Sequence, residues 1–239
     1  MRRPIAVVLV FVLSTFLNAK SLFSEYKTKI LEVSEKNAII EDSSDIFIGS
    51  SGIVIHKIDN TTSTIVARVD VISKSNGKAI LQFEVFDMLA QKAFPVSGVR
   101  PNVGDEVIIN YLYDRALIVA PNYEVYNEIT KHYNTITWVH PDIVAGYLLK
   151  EYRPNPDREI FKLTCTQNAA SLIFFALNHR GYFVDCNNFR VIKEVQAGEV
   201  KDAQLPFYAR LKGIESAWLS FDSADIKDYN THYNSLIRK

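Results

Sequence analysis

The hydrophobic pattern of this 239-residue chain changes its period near residue 120. Before that point apolar residues alternate with polar ones, which is typical of half-buried β-strands. In Thr64–Ile72, Ile65, Val69 and Val71 fall on one face and Arg68 and Asp70 on the other. Ala79–Phe86 repeats the alternation, and the intervening Asn76-Gly77 suits the positive φ angles of a tight hairpin turn. The pattern predicts antiparallel strand pairs in the first half.

Five further short apolar runs in this half are separated by turn-forming residues and also predict strands. They are KILEV from Lys29, NAIIE from Asn37, GIVIHKI from Gly52, DEVIINYL from Asp105 and RALIVA from Arg115. Six or seven short strands with almost no helix predict a small β-barrel or sandwich, which we assign to a domain of residues 20–120.

Helix signals appear after Pro121. Asn122, Pro141 and Asp157 each suit the start of a helix, and Pro154 and Pro156 separate the second helix from the third. Three strands then follow, at 171–177, 182–186 and 189–195. With 115–119 as its first strand, the second half has the order β-α-β-α-α-β-β-β, and we assign it to a mixed α/β domain of residues 121–239. The whole chain is therefore predicted to be α+β.

The last forty residues are less periodic. Leu205–Leu211 and Ala217–Phe221 are predicted strands, and Ser223–Arg238 is a predicted polar closing helix. Aspartates recur every three residues at 222, 225 and 228, but the run lacks the glycine and the final glutamate of a calcium loop. We interpret these aspartates as a solvated helix face.

Residues 1–19 have the order of a secretory signal peptide. Arg2 and Arg3 precede thirteen mostly apolar residues, Ile5–Leu17, and Ala19 is a small residue at the expected cleavage site. Thirteen helical residues span only about 20 Å, less than the roughly 30 Å of a bilayer core. We therefore expect cleavage after Ala19 and export to the periplasm or the cell surface, without a membrane span in the mature chain.

Export affects the interpretation of the two cysteines, Cys165 and Cys186, which lie 21 positions apart. In an oxidising compartment two such cysteines favour a disulfide, and the alternative is a pair of buried thiols. Their spacing matches neither CxxC nor a zinc-ligand pattern.

No motif for catalysis, a cofactor or a metal is present. Lysines plus arginines and aspartates plus glutamates both number 27, so net charge gives no reason to expect nucleic acid as a partner. No two of the five histidines have the spacing of HxH or HExxH. We expect a non-enzymatic protein that needs no cofactor.

Tyrosine is enriched in interfaces, but packing in the core is favoured for the tyrosines at 111, 113, 123, 126 and 133, most of which alternate with aliphatic residues.

Several longer stretches together are similar to one bacterial family. They are FEVFDMLAQKAFP from Phe83, VGDEVIINYLYDRALIVAPN from Val103, HPDIVAGYLLKEYRPNP from His140, LIFFALNHRGYFVDC from Leu172 and LPFYARLKGI from Leu205. The chain, from about Lys20 to Ile237, resembles the N-terminal domain of the plasminogen-binding proteins of Helicobacter, Campylobacter and related bacteria. The resemblance implies an exported, non-enzymatic envelope or surface protein that captures host plasminogen.

The resemblance also implies a chemistry for that capture. Plasminogen's kringle modules hold a lysine in an aromatic trough between acidic and basic groups, and a C-terminal lysine carries both matching charges. Lys239, the last residue, meets this requirement and is the expected partner-binding residue. In the family, binding is associated with a lysine-rich tail beyond this domain, and this sequence stops where such a tail would begin. A periplasmic assembly module, such as a flagellar or envelope scaffold, is the alternative function.

Overall fold

The computed structural model describes residues 22–84, 98–214 and 226–238, which form two β-sheets and four helices. Most of the regular structure in these ranges is strand, and the four helices described all belong to the second half, so the fold is of the α+β class that the sequence predicts. No helix in these ranges is both long enough and apolar enough to cross a bilayer. The division into two domains at residue 120 stays a prediction.

The first sheet has seven antiparallel strands in the order β1-β7-β4-β5-β6-β3-β2. They are β1 (Tyr26–Lys29), β2 (Glu32–Val33), β3 (Asn37–Glu41), β4 (Ser51–Lys57), β5 (Ser63–Ser75), β6 (Lys78–Glu84) and β7 (Glu106–Ile109). The predicted turn joins β5 to β6, with φ of 51° at Asn76 and 73° at Gly77. The final residues of the predicted strand 79–86, Val85 and Phe86, lie outside the described ranges.

The sheet is curled because the chain passes from one of its edges to the other within two residues. Ile30 N donates to Asp105 O beside β7 (3.0 Å), and Leu31 N donates to Ile39 O of β3 (2.8 Å). The single predicted strand KILEV is therefore wrong, since the bend at Ile30–Leu31 divides it between β1 and β2. The concave side holds a core that is mainly aliphatic, including Ile40, Val54, Val69, Leu81 and Ile109.

The second sheet has five strands in the order β12-β11-β10-β8-β9, with β8 parallel to both β9 and β10. Its elements are β8 (Arg115–Val119), α1 (Tyr123–His132), β9 (Thr137–Val139), α2 (Asp142–Glu151), α3 (Arg158–Gln167), β10 (Leu172–Leu177), β11 (Arg180–Asp185) and β12 (Val191–Gln196). This is the predicted element order. The Asn122 side chain accepts from Val125 N (2.9 Å) and that of Asp157 from Ile160 N (2.9 Å), so both predicted caps are confirmed.

Both faces of this sheet are covered, and all six residues of β10 are buried. One face packs against α2, α3 and the final helix α4 (Tyr229–Leu236). The other face packs against α1 and, from the N-terminal half, Phe23 and Phe47. The Phe23 ring lies 5.2 Å from that of Phe183, centroid to centroid. A core rich in aromatic rings therefore lies between the two halves.

One prediction for the last forty residues is wrong, and a second is confirmed in part. Leu205–Leu211 is not a strand: Tyr208 N donates to Ala120 O (2.7 Å), and Phe207 and Ala209 are buried without a strand ladder. The closing helix is shorter than predicted, because Asp228 caps it by accepting from Thr231 N. The predicted strand 217–221 and the aspartates at 222 and 225 lie outside the described ranges.

A largely buried cluster of polar side chains, which we call the polar junction, joins the two sheets. It consists of Ser51, Asp70, Tyr113, Asp185 and Asn188. The Asp185 carboxylate, which has no exposed surface, accepts from Ser51 Oγ (2.5 Å) and Tyr113 Oη (2.8 Å). Asn188 Nδ2 donates to Asp70 Oδ2 (3.0 Å). These contacts link residues more than 60 positions apart in sequence, and they hold β4 and β5 against the end of β11.

Candidate functional site

The predicted partner-binding residue, Lys239, lies outside the described ranges, but the residue before it is fixed to the fold. Arg238 N donates to Phe189 O (2.7 Å), and Val191 N donates to Arg238 O (3.0 Å). Arg238 thus forms a parallel bridge with Arg190, at the start of the edge strand β12. Ile237, which precedes it, is buried in the core beneath α4.

Arg158, the first residue of α3, strengthens this attachment. Its Nε donates to Leu236 O (2.8 Å), and its guanidinium lies 5.6 Å from the centre of the Phe189 ring. We call Arg158, Phe189, Val191 and Arg238 the C-terminal anchor. Sequence reasoning missed the anchor because its members are distant in sequence and its hydrogen bonds to the terminal segment are made to backbone carbonyls, which no residue pattern reveals.

The predicted disulfide is present and lies next to the anchor. Cys165 of α3 and Cys186, just after β11, are both buried, and their Cα atoms are 6.4 Å apart. The bridge ties the helix that carries Arg158 to the turn that carries Phe189. It belongs to the same core cluster as Ile237, so the covalent link stabilises the surroundings of the terminal segment.

The five tyrosines considered in the sequence do not form one surface. Tyr113 is buried in the polar junction, and Tyr133 packs against Phe183 with ring centres 5.1 Å apart. Tyr123 and Tyr126 instead lie on α1 beside Tyr208, a residue that the sequence did not single out. The Tyr208 ring centre is 5.7 Å from that of Tyr123 and 5.3 Å from that of Tyr126.

These three rings form a partly exposed aromatic surface, the tyrosine face, in which Tyr126 and Tyr208 are half-buried. The face continues to His140, whose ring centre is 5.4 Å from that of Tyr126. Tyr123 is 53% exposed, although a large aromatic ring normally favours burial. Burial raises the pKa of Tyr126 and Tyr208, so both hydroxyls remain protonated at neutral pH. The face therefore presents apolar rings with neutral hydrogen-bonding tips.

An ion pair borders the tyrosine face. Arg210 Nε lies 2.7 Å from Asp142 Oδ2, and Arg210 N donates to Asp142 Oδ1 (2.8 Å). Burial raises the pKa of Asp142, but the two hydrogen bonds from Arg210 and the nearby positive charge together outweigh it, so the pKa of the carboxyl group is lowered. Burial lowers the pKa of His140, which favours the neutral ring. Tyrosine and arginine, which lie together on this surface, are residue types that are enriched at protein interfaces.

Within the described ranges, no group of three or more His, Cys, Asp or Glu side chains could hold a metal ion. The histidines are dispersed: His56 Nδ1 lies 2.8 Å from Asp105, and His232 Nε2 lies 2.9 Å from Pro156 O. The polar junction contains a serine, a tyrosine and a carboxylate, but they are buried and bonded to one another. Its arrangement explains how the two sheets are held together.

Comparison with known proteins identifies the family. The family model described as "Plasminogen-binding protein pgbA N-terminal" matches residues 25–237. The chain belongs to this family. Two curated relatives, each named Plasminogen-binding protein PgbA, come from Helicobacter pylori strains 26695 and J99. Each is 23% identical over 199 residues, which cover 82% of this chain and 43% of the relative. The chain thus spans less than half the length of these relatives.

Proposed function

We propose that this chain is an exported, non-catalytic protein that binds plasminogen through its terminal lysine. The family match over residues 25–237 carries the proposal, because it includes nearly all of the predicted mature chain. The relatives are named for plasminogen binding, and at 23% identity this name supports a binding role at the level of the family. The predicted signal peptide, residues 1–19, lies outside the described ranges and accounts for export to the periplasm or the cell surface.

The C-terminal anchor supports a specific form of this mechanism. Lys239 directly follows a residue whose backbone is bonded on both sides to β12 and the turn before it. A lysine next to a fixed residue loses less conformational entropy on binding than a lysine at the end of a long mobile tail. Its ammonium and carboxylate would enter a kringle trough together. The anchor would then determine where on the molecule plasminogen is held.

The experiment that tests this proposal measures plasminogen affinity for the mature chain, with and without a free lysine analogue. We expect the analogue to compete, and we expect deletion of Lys239 to weaken binding at least tenfold. The matched control is Lys57→Ala, which removes an exposed lysine at the end of β4 and should leave the affinity unchanged. The terminal-lysine mechanism is wrong if binding persists without Lys239 and resists the analogue.

A second function, as a periplasmic scaffold or assembly module, is favoured by the tyrosine face. An exposed ring such as Tyr123, beside Tyr208 and the Arg210–Asp142 pair, is suited to contact another folded protein. In this case the double variant Tyr123→Ala/Tyr208→Ala should abolish cross-linking to one dominant envelope protein in intact cells. Deletion of Lys239 should leave that cross-link intact. Failure to recover any dominant partner would count against the scaffold function.

A further inference from the structure

Three arginines lie together at the C-terminal anchor, and we call Arg158, Arg190 and Arg238 the arginine cluster. Arg190 and Arg238 are the two partners of the parallel bridge, and paired strands lie about 4.8 Å apart. Bridge partners turn their side chains to the same face, so these two guanidinium groups share one side of the sheet edge. Because Val191 and Ile237 pack into the core, the two exposed arginines next to them point away from it.

The backbone beneath the cluster is fixed. Asn188 Oδ1 accepts from Arg190 N (2.8 Å), and Asn188 Nδ2 donates to Gly49 O (2.9 Å). A Cβ atom at Gly49 would lie 2.9 Å from Arg190 Cβ, so the Arg190 side chain starts in close contact with the loop before β4. Arg238 is held by the two backbone hydrogen bonds of the anchor. The fold therefore determines the spacing of these two arginines.

Arg158 adds a third guanidinium group, which is half-buried. Its Nε donates to Leu236 O (2.8 Å) and its Nη2 to Ser235 O (3.3 Å), and the remaining N–H groups of the guanidinium are available to a ligand. Burial and the positive charge of Arg238 lower the pKa of Arg158, as expected for two cations close together. The carbonyl groups thus hold Arg158 in place without neutralising its charge.

No carboxylate in the described ranges neutralises the cluster. None of its three side chains forms an ion pair with another described residue. Asp157, which precedes Arg158, is paired with Arg153 instead (2.6 Å). By contrast, Arg180 of β11 is matched by Glu194 of β12 (2.6 Å). The arginine cluster therefore differs from a paired surface arginine.

The charge and geometry of the cluster indicate which ligand would fit. Like charges directly opposite each other destabilise a sheet, so a bound anion would relieve the repulsion between Arg190 and Arg238. A guanidinium group donates two parallel hydrogen bonds to an oxyanion. A carboxylate has two oxygens and suits one such group, whereas a phosphate monoester has three free oxygens and can accept from several. Three arginines therefore favour phosphate.

We propose that the arginine cluster binds a phosphate group with three free oxygens, supplied either by inorganic phosphate or by the head group of a phosphomonoester lipid. The phosphate accepts from the available N–H groups of Arg158 and from the exposed guanidinium groups of Arg190 and Arg238. The site adjoins Lys239 but does not depend on plasminogen binding.

The first test is calorimetric titration of the mature chain with inorganic phosphate in a chloride buffer of constant ionic strength. We expect saturable binding of one phosphate per chain and much weaker binding of acetate. Arg190→Gln and Arg238→Gln should each weaken phosphate binding about tenfold, since each removes one charged hydrogen-bonding group. The matched control, Arg180→Gln, removes the same charge from an arginine that is already paired and should bind as the wild type does. Arg158 is left unchanged because it also holds the end of α4.

Thermal unfolding separates this effect from a folding defect. Without phosphate, Arg190→Gln should melt at a temperature at least as high as that of the wild type, because one of two opposed charges is gone. Phosphate should raise the melting temperature of the wild type and leave that of the variant unchanged. A variant that melts lower than the wild type by the same amount in both buffers would show a structural role for Arg190 and overturn the proposal.

Two comparisons identify the source of the phosphate and test the chain's own terminus. If a lipid supplies the group, phosphatidylcholine vesicles that contain phosphatidic acid should bind the chain, and inorganic phosphate should displace it. Phosphate binding without vesicle binding would assign the site to the free ion. A chain extended by Gly-Ser after Lys239 should keep the wild-type affinity for phosphate, and binding by the extended chain alone would show that the Lys239 carboxylate fills the site. That result, absence of saturable phosphate binding, equal affinity for acetate and phosphate, or an equal loss in Arg180→Gln would each overturn the proposal.

Discussion

The two sheets bury their apolar side chains in different ways. The curled sheet encloses a mainly aliphatic core on one side, and strands such as β6 alternate between buried and exposed residues. The five-stranded sheet is covered on both faces, and its cores contain many aromatic rings, among them Phe161, Phe175, Phe183 and Tyr233. Strands that are open to solvent on one face, such as β6, need only alternation, although Ile53, Arg68 and Ile108 on the other face of the central strands are also buried. The five-stranded sheet needs helices to cover it.

This difference divides the molecule into two regions. The supporting region is the curled sheet, and the presenting region is the five-stranded sheet with its helices, which carries the candidate binding surfaces. The helices that cover the second sheet also carry or border the C-terminal anchor and the tyrosine face. Of these two features and the polar junction, only the polar junction includes residues of the curled sheet. We therefore expect the curled sheet to act on binding indirectly, by fixing the position of β11 and the turn that follows it.

The largest expected effect follows from breaking the junction between the two regions. Asp185→Ala removes the acceptor of Ser51 Oγ, Tyr113 Oη and the backbone N–H groups of Asn187 and Asn188. Buried donors left without an acceptor should lower the free energy of unfolding by roughly 3–5 kcal/mol. Urea unfolding measures the loss, with Asp202→Ala at an exposed position as the control. A loss below 1 kcal/mol would show that the sheets are held by apolar contacts alone.

The next effect concerns Asp70, on the curled-sheet side of the junction. Burial and the nearby Asp185 raise the pKa of Asp70 to about 6. The folded state then binds this proton more tightly than the unfolded state, so the contribution of Asp70 to stability falls as pH rises from about 4 to about 6. A shift of about two pKa units corresponds to roughly 3 kcal/mol.

Asp70→Asn removes this charge and should keep the hydrogen bond from Asn188. We expect the variant to be more stable than the wild type by roughly 2 kcal/mol at pH 7 and by almost nothing at pH 3.5. Unfolding curves across this range provide the measurement. An equal gain at both pH values would mean that the effect does not come from ionisation of Asp70.

The same contrast between the two regions explains what the sequence could predict. Alternation, the Asn76-Gly77 turn and the caps at Asn122 and Asp157 depend on residues close together in the chain, and the structure confirms them. The disulfide between Cys165 and Cys186 was expected because the chain is predicted to be exported to an oxidising compartment. Local patterns gave wrong predictions where contacts between residues distant in sequence determine the backbone conformation. Ile30–Leu31 bends because two sheet edges meet there, and the segment around Tyr208 bonds to the end of β8 instead of forming a strand.

The candidate sites were less predictable than the fold. Tyr123 and Tyr126 were singled out in the sequence, but Tyr208 lies 82 residues beyond Tyr126, and no periodicity connects them. Arg158 contacts backbone carbonyls of α4, a type of contact without a sequence signature.

The smallest expected effect compares two helices within the presenting region. α3 buries Ile160, Phe161, Thr164 and Cys165, whereas α1 has no buried residue. Loss of an N-cap costs about 1 kcal/mol when the helix is part of the cooperative core. Asp157→Ala should therefore lower the global free energy of unfolding by about that amount. Asn122→Ala should lower it by less, and should instead increase hydrogen exchange in α1, since a weakly packed helix can open locally.

Hydrogen exchange together with urea unfolding of the two variants distinguishes these cases. Equal global losses would show that α1 unfolds with the rest of the sheet. A local effect confined to α1 would mean that this helix opens by itself while α3 stays folded.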